Sequence, residues 1–156
     1  MPIEKERKFL LKNDSWRNSI SCSDVIVQGY LSLAPERTVR IRILNDKGFL
    51  TVKGISKGDS RLEYEYEIPY EHASQLLENL CIKPLLKKKR HTVYESGFVI
   101  DEFLEDHEGL FIAEFEYSET NTDIDVFPDW IGLEVTGNKN YYNSMLCSGD
   151  SPPALT

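Results

Sequence analysis

Residues 3–10 read Ile3-Glu4-Lys5-Glu6-Arg7-Lys8-Phe9-Leu10, and this stretch decides how the rest of the chain is interpreted. Side chains of a β-strand alternate between two faces, so Glu4, Glu6 and Lys8 form a charged row on one face. The opposite face carries long or apolar groups that suit a covered surface. Taken alone, the stretch also fits a solvated edge strand with mixed charges. Later strands repeat this charged face, which favours a functional role for the row over a merely solvated edge strand.

The same alternation of apolar and charged residues recurs along the chain and predicts seven further strands. These are Val25–Leu33, Thr38–Leu44, Phe49–Lys53, Arg61–Ile68, Lys87–Tyr94, Phe98–Leu104 and Leu110–Tyr117. Their charged faces are segregated by sign: some strands present acids and others present bases. If the strands close into an antiparallel barrel, either the apolar or the charged faces point into the bore. The residues alone leave both arrangements open, since a charged bore needs its charges to be satisfied by water, by each other or by a ligand.

The remaining segments predict connections and helices. Apolar residues at helical spacing predict a helix over Glu71–Leu80. The other assignments are a short helix from Ser15 toward Ile20, a loop at Ser21–Asp24, a chain break at Pro84, a helical turn at Pro128–Ile131 and a last helix over Asn138–Leu146. Residues 148–156, with a glycine and two prolines, predict a disordered tail.

Composition excludes several classes of protein. A chain of 156 residues predicts one domain, and its net charge of −8 argues against non-specific binding to nucleic acid. No apolar run is long enough for a membrane span, and the first residues lack the apolar core of a signal peptide. The three cysteines are far apart and indicate reduced thiols in a cytoplasmic protein. The three histidines, His72, His91 and His107, are not spaced as metal ligands and are interpreted as surface or packing residues.

An ordered series of motifs resembles a known family. The signature Glu4-x-Glu6-x-Lys8 is similar to the ExExK motif of the CYTH superfamily, the triphosphate tunnel metalloenzymes. The likeness continues through nearly the whole chain up to Cys147, and is strongest to the small single-domain bacterial branch. It runs through Gln28–Leu31, Thr38–Arg42, Leu50–Gly54, Glu63–Pro69, Lys88-x-Arg90, Asp101, Ala113–Glu116 and Gly137–Ser144. The resemblance therefore implies one CYTH domain over residues 1–147.

The fold implied by the resemblance is β-dominated α+β: an eight-stranded antiparallel β-barrel that forms a triphosphate tunnel, with a few flanking helices. The family pattern also implies roles for individual residues. The phosphate-binding bases would be Lys8, Arg40, Arg42, Lys53, Lys88 and Arg90, with Lys139 in the segment near a tunnel mouth. The acids holding one or two Mg2+ or Mn2+ ions would be Glu4, Glu6, Asp101, Glu114 and Glu116. The catalytic group would be Glu63, Glu65, Lys88 and Arg90, with the carboxylates placing metal or water.

The activity implied by the resemblance is metal-dependent hydrolysis of inorganic tripolyphosphate, with ATP or thiamine triphosphate as other substrates and a homodimer as the assembly. Carboxylates and retained waters suit Mg2+, and bases suit the phosphates. Three alternatives stay open: a class IV-like adenylate cyclase, a non-catalytic polyphosphate-binding module, and a structural β-domain whose charges are only solvated. The paired acids Glu4-x-Glu6 and Glu114-x-Glu116 argue against a pure binder, which would need bases more than acids.

Overall fold

Nine strands form one antiparallel sheet in the computed structural model, which describes residues 2–94, 96–118, 123–124 and 126–147. The strands are β1 (Ile3–Leu11), β2 (Ile20–Ser32), β3 (Arg37–Leu44), β4 (Lys47–Gly54), β5 (Ser60–Ile68), β6 (Ile82–Val93), β7 (Phe98–Phe103), β8 (Phe111–Glu116) and β9 (Ile131–Glu134). The sheet order is β5-β4-β3-β2-β6-β7-β8-β1-β9, and β1 also pairs with β5 through Ile3 and Leu62. This pairing closes the first eight strands into a barrel, which confirms the predicted fold class, and β9 is an extra strand beside β1.

The two faces of each strand settle which residues point into the barrel. On β3, Ile41 is fully buried in an apolar cluster beneath helix α1 (Tyr70–Asn79), so Arg40 and Arg42 point the opposite way, into the bore. A second outer cluster lies under the 3₁₀ helix Ser15–Ser19, whose Trp16 is fully buried. These two parts of the outer apolar surface are thus covered by the helices and by the chain near β9, while Tyr64 and Tyr66 of β5 remain exposed, and the charged faces line the interior.

A third apolar cluster fills one end of the barrel. Tyr30, Leu86, Phe103 and Ile112 pack there against the second α-helix, α2 (Asn143–Cys147). The alternation along β6 places Leu86 on the same face as Lys88, so this cluster lies inside the barrel. The charged cavity therefore has an apolar floor, to which α2 contributes.

Several connections differ from the sequence predictions. Ser21–Asp24 belongs to β2, because these residues pair with β6 from Cys22 opposite Thr92 to Asp24 opposite Arg90. Pro84 lies within β6 and does not break it. The register with β2 shifts near this point, and such an irregularity accommodates a residue without an N–H donor.

The C-terminal part of the described chain also departs from prediction. The expected helical turn at Pro128–Ile131 is wrong at its end, since Ile131 already begins β9. The expected helix Asn138–Leu146 is interrupted: a 3₁₀ turn (Lys139–Tyr141) and α2 are separated by Tyr142, whose backbone is extended. The predicted helix Glu71–Leu80 agrees with α1 to within one residue. The predicted tail 148–156 lies outside the described residues. Within the described residues, none of the helices has the length and apolar character needed to span a membrane.

Candidate active site in the barrel interior

A cavity of about 470 Å³ occupies the interior of the barrel. Its charged lining, among the described residues, consists of seven bases and six carboxylates. The bases are Lys8, Arg40, Arg42, Lys53, Arg61, Lys88 and Arg90; the acids are Glu4, Glu6, Glu63, Glu65, Glu114 and Glu116. The whole chain carries a net charge of −8, whereas in the cavity lining the bases outnumber the carboxylates by one. Such a site suits an anion despite the acidic surface.

The base-rich wall is organised around Asp101, which is fully buried. Lys88 Nζ donates to Asp101 Oδ2 at 2.7 Å, and Arg90 donates from Nε to Oδ1 at 2.8 Å and from Nη2 to Oδ2 at 3.0 Å. The two bases hold the pKa of Asp101 well below its usual range, against the opposing effect of burial. Burial lowers the pKa of Lys88 to about 7, and Asp101 only partly offsets this. Asp101 therefore fixes both bases from behind.

A chain of amide hydrogen bonds extends this wall to β3 and α2. Arg42 Nε donates to Gln28 Oε1 at 3.0 Å, and Gln28 Nε2 donates to Asn143 Oδ1 at 3.2 Å. The same Asn143 oxygen accepts from Lys88 Nζ at 2.8 Å. Gln28 is fully buried, so its two polar ends are satisfied only by these neighbours among the described residues. The first residue of α2 thus orients two of the cavity bases.

Two arginines on the cavity wall lack a carboxylate partner. Among the described residues, no acidic oxygen lies within 4.0 Å of the guanidinium nitrogens of Arg42 or Arg61. Burial, followed by the nearby Arg40 and Arg90, lowers the pKa of Arg42 to about 9, so it remains a cation at neutral pH. Arg61 donates to Thr38 Oγ1 at 3.2 Å, while its buried Nε makes no hydrogen bond. A partly desolvated cation is costly without a counter-charge, and an anion in the cavity would supply one.

The acid-rich wall lies on β1, β5 and β8. Lys53 Nζ lies 3.0 Å from Glu4 Oε2 and 3.9 Å from Glu63 Oε1. Lys8 Nζ lies between Glu6 Oε1 at 3.7 Å and Glu114 Oε1 at 3.8 Å. Acids and bases therefore alternate across this wall.

The pKa values of two of these acids, Glu4 and Glu116, are raised. Burial, with contact to the Glu63 carboxyl, raises the pKa of Glu4. Burial also raises the pKa of Glu116, and the charges of Glu4, Glu6 and Glu114 add to this. The ionised forms of Glu4 and Glu116 are thus disfavoured, and a bound cation would stabilise them.

The oxygens of the acid-rich wall are candidate ligands for a metal ion. Within the described residues, no three side chains of the His, Cys, Asp or Glu types converge as a ready-made metal cage. The donors are all carboxylate oxygens, which suit Mg2+ or Mn2+ rather than a softer metal. Mg2+ commonly binds through one or two carboxylates, retained waters and substrate phosphates, so the wall fits such an ion without a complete cage.

The structure brings twelve of the predicted site residues to the cavity lining. They are Glu4, Glu6, Lys8, Arg40, Arg42, Lys53, Glu63, Glu65, Lys88, Arg90, Glu114 and Glu116. Two others lie elsewhere. Asp101 is behind the wall, where its oxygens accept hydrogen bonds from Lys88 and Arg90, and its role as a metal ligand stays a prediction. Lys139 is exposed on the 3₁₀ turn and does not line the cavity.

Some lining residues were missed by the sequence analysis. Arg61 shares the inward alternation of Glu63 and Glu65, so that pattern already contained its signal. The cavity is also lined by Tyr142, Asn143 and Ser144. The chain is extended at Tyr142, where the 3₁₀ turn ends, and no periodic pattern in the sequence indicates this change. Tyr30 alternates with Gln28 on the inward face of β2 and lies where the cavity meets its apolar floor.

Comparison with known proteins identifies the family. The family model described as the CYTH domain matches residues 2–140. The chain belongs to the CYTH family. This confirms the resemblance drawn from the motif series.

Individual CYTH relatives extend the comparison. An inorganic triphosphatase from Acetivibrio thermocellus is 48% identical over 150 residues, which cover 94% of each chain. A crystal structure of another inorganic triphosphatase is 28% identical, with a TM-score of 0.62 over 92% of this chain and 97% of that one. A candidate adenylate cyclase from Bacillus halodurans has a TM-score of 0.59 at 16% identity, over 82% of this chain and 95% of that one. That last likeness supports the fold alone.

Proposed function

We propose that this CYTH protein is a triphosphatase that hydrolyses inorganic tripolyphosphate and releases orthophosphate. The observation that carries the proposal is the cavity wall on which Arg42 and Arg61 lack carboxylate partners beside five further bases. A polyphosphate supplies several negative oxygens along one chain, which matches bases spread along one cavity. The name of the relative from Acetivibrio thermocellus points to the same substrate.

The proposed phosphate-binding group is the set of cavity bases. It comprises Lys8, Arg40, Arg42, Lys53, Lys88 and Arg90, to which we add Arg61. Asp101 acts in this proposal as a positioning residue, because it fixes the nitrogens of Lys88 and Arg90. The exposed Lys139 has no part in the assignment.

The proposed metal-holding group is the acid-rich wall, namely Glu4, Glu6, Glu114 and Glu116. When bound there, Mg2+ or Mn2+ supplies neutralisation of phosphate charge and orientation of its oxygens. Lys8 and Lys53 already neutralise part of this wall, so the acids and bases together can hold both a cation and the phosphates.

The hydrolytic step requires a water placed in line with a terminal phosphorus. Glu63 and Glu65 lie on neighbouring inward positions of β5 and are the proposed acceptors of the water proton. Thr51 Oγ1 and Arg40 Nη2 donate to Glu65 Oε2 at 2.8 and 3.3 Å, which fixes that carboxylate. As the water oxygen bonds to the terminal phosphorus and the bridging P–O bond breaks, orthophosphate forms and pyrophosphate leaves, and Lys88 and Arg90 stabilise the charge on that leaving group.

The cavity favours a bare polyphosphate over a nucleotide. Its aromatic lining consists of Tyr30 and Tyr142 among the described residues, and Lys8 Nζ lies 5.5 Å from the centre of the Tyr142 ring. A nucleoside or thiamine group therefore finds little apolar surface to stack on. ATP and thiamine triphosphate are expected to be poorer substrates.

We also propose that the protein is a homodimer of the cytoplasm. Tyr64 and Tyr66 on the outer face of β5 are exposed, and Tyr66 is 59% exposed. Aromatic residues are enriched at protein interfaces. Sedimentation at several concentrations tests the dimer.

The function is tested by measuring phosphate release from tripolyphosphate, ATP and thiamine triphosphate in Mg2+, in Mn2+ and with a chelator. Release that depends on the metal and is fastest from tripolyphosphate is the expected result. Pyrophosphate and cyclic AMP from ATP would identify a cyclase instead. No product, with thermal stabilisation by tripolyphosphate, would identify a binding module, since a ligand of the folded state raises its apparent stability.

A further inference from the structure

We propose that Ser23, His91 and Glu102 form a second reactive site, on the outside of the barrel, in which Ser23 is a nucleophile toward small carboxylic esters. Ser23 Oγ lies 2.7 Å from His91 Nδ1, and His91 Nε2 lies 2.9 Å from Glu102 Oε1. A hydroxyl beside an imidazole that is itself oriented by a carboxylate is the arrangement that activates serine nucleophiles. This site does not depend on the proposed phosphatase function.

Three adjacent strands bring these residues together. Ser23 on β2 is directly opposite His91 on β6, and Glu102 lies on β7, the next strand. Lys88 and Arg90 line the cavity, so the alternation along β6 places His91 on the outer face. The reactive set and the phosphate cavity therefore lie on opposite sides of the same wall.

The surroundings hold the imidazole and leave the hydroxyl accessible. His91 is 4% exposed, and the Trp16 ring lies 5.4 Å from its ring centre. Ser23 is exposed, and the Glu102 side chain is partly exposed. Glu102 Oε1 is an acceptor, so it places a proton on His91 Nε2, and in the tautomer that the reaction uses Nδ1 carries none. Nδ1 is then left to accept the hydroxyl proton of Ser23.

The edge of the sheet beside Ser23 offers donors for a developing oxyanion. The register of β2 with β3 begins at Ile26, so in the described structure Cys22, Ser23 and Asp24 have a ladder partner on the β6 side only. Backbone N–H groups on an open edge can bind a negative oxygen. The site is an exposed strand surface on a chain of net charge −8, so a small uncharged ester is the fitting substrate.

The reaction is an acyl transfer. Ser23 Oγ bonds to the ester carbonyl carbon, and its proton moves to His91 Nδ1. The C–O bond to the alcohol breaks, the alcohol leaves with that proton, and an acyl-serine remains. Glu102 stabilises the imidazolium formed on the way. Water then attacks the acyl-serine by the same proton route, which releases the carboxylic acid and restores Ser23.

The test uses p-nitrophenyl acetate as the probe, with the release of p-nitrophenol and the peptide mass of the acetylated protein as readouts. Ser23→Ala and Glu102→Gln are the variants. Ser21→Ala is the matched control, because Ser21 is also an exposed serine of β2 but its hydroxyl donates to the carbonyl of Thr92. Hydrolysis of tripolyphosphate and the melting temperature report on the folding of every variant.

We expect Ser23→Ala to lose at least about 10²-fold in rate, Glu102→Gln to be slowed, and Ser21→Ala to match the parent. Acetyl groups should map to Ser23. Equal rates for Ser23→Ala and the parent, or acetylation of Ser21 as fast as that of Ser23, would overturn the proposal. Should Glu102→Gln fail to fold, the pair of serine variants decides alone.

Discussion

Strand β3 carries two kinds of burial on its two faces. Ile41 is fully buried on the outer face beneath α1, and burying such a side chain stabilises the fold by about 1.5–3 kcal/mol. Arg40 on the inner face is 6% exposed, and its buried Nε makes no hydrogen bond. Removing such a cation from water is costly. The outer face therefore stabilises the barrel, while the desolvated charges of the inner face destabilise it and are available to bind a ligand.

The largest effect should follow from breaking the buried pairs of the inner face. Asp101→Asn keeps the shape of the side chain but removes the carboxylate that pairs with Lys88, and it leaves Arg90 with Glu114 as its carboxylate partner. Loss of one partner from a buried pair costs about 3–5 kcal/mol, which corresponds to a Tm lower by about 6–20 °C in a chain of this size. Thermal unfolding and tripolyphosphate hydrolysis should both decline.

The control is a carboxylate of the outer surface. Glu67→Gln removes the partner of Lys47, whose Nζ lies 3.9 Å from Glu67 Oε1, and both side chains are more than half exposed. An exposed pair contributes about 0–1 kcal/mol. A Tm for Asp101→Asn as high as that of Glu67→Gln would mean that Asp101 is not the support of the inner wall, and a metal ligand would then be the better interpretation.

A cation without a partner should behave in the opposite way. Arg42→Met removes a guanidinium that no carboxylate neutralises, which favours the folded state. It also leaves the buried Gln28 Oε1 without its donor, so the two effects oppose each other and stability should stay close to that of the parent. Turnover of tripolyphosphate should fall by about 10²–10³-fold, as when one preorganised donor is lost from a reaction site. Steady-state kinetics and thermal unfolding on the same samples measure both.

The matched control for that loss is Arg37→Met, which removes an exposed arginine at the other end of β3. Its kinetics should equal those of the parent. Arg42→Met with full activity would show that the unpaired guanidinium is not part of the substrate site.

The inner face was the easier one to predict from sequence, because alternation is a local property. The charged row Glu4, Glu6 and Lys8 follows from strand geometry alone, and the same rule places Arg61 beside Glu63. Alternation alone did not predict whether the charged or the apolar face points into the barrel, since this depends on helix α1 covering the opposite face. The family resemblance decided between the two arrangements.

Other features depend on contacts between distant parts of the chain. Asp101 among apolar neighbours looks the same in sequence whether it binds a metal or two bases. The extended backbone at Tyr142, which brings Asn143 to Lys88, interrupts a segment that the sequence analysis predicts as one continuous helix. Pro84 within β6 is tolerated because of a register shift that only the pairing with β2 reveals.

The outer face offers the complementary test. Ile41→Ala leaves a cavity beneath α1 and should cost about 3 kcal/mol of unfolding free energy, while the kcat for tripolyphosphate stays at the parent value. Ile41→Val, which removes one methyl group, should cost about 0.5–1.5 kcal/mol. Denaturant unfolding with parallel kinetics checks this. A kcat that falls in step with stability would show that the two faces are not independent.

The smallest effect concerns pH and Lys88, whose pKa is lowered by burial to about 7. Above that pH the free folded protein loses a proton that the unfolded chain retains up to its ordinary pKa near 10.5. The unfolded state therefore binds more protons between these values, and the stability of the free protein should rise with pH there. Tripolyphosphate attracts the ammonium form, so its KM should also rise, by at most about tenfold per pH unit. Lys88→Arg stays protonated and should flatten both trends between pH 7 and 9, measured relative to the parent so that titration of the substrate cancels. Trends that persist in Lys88→Arg would assign the titration to another group of the inner face.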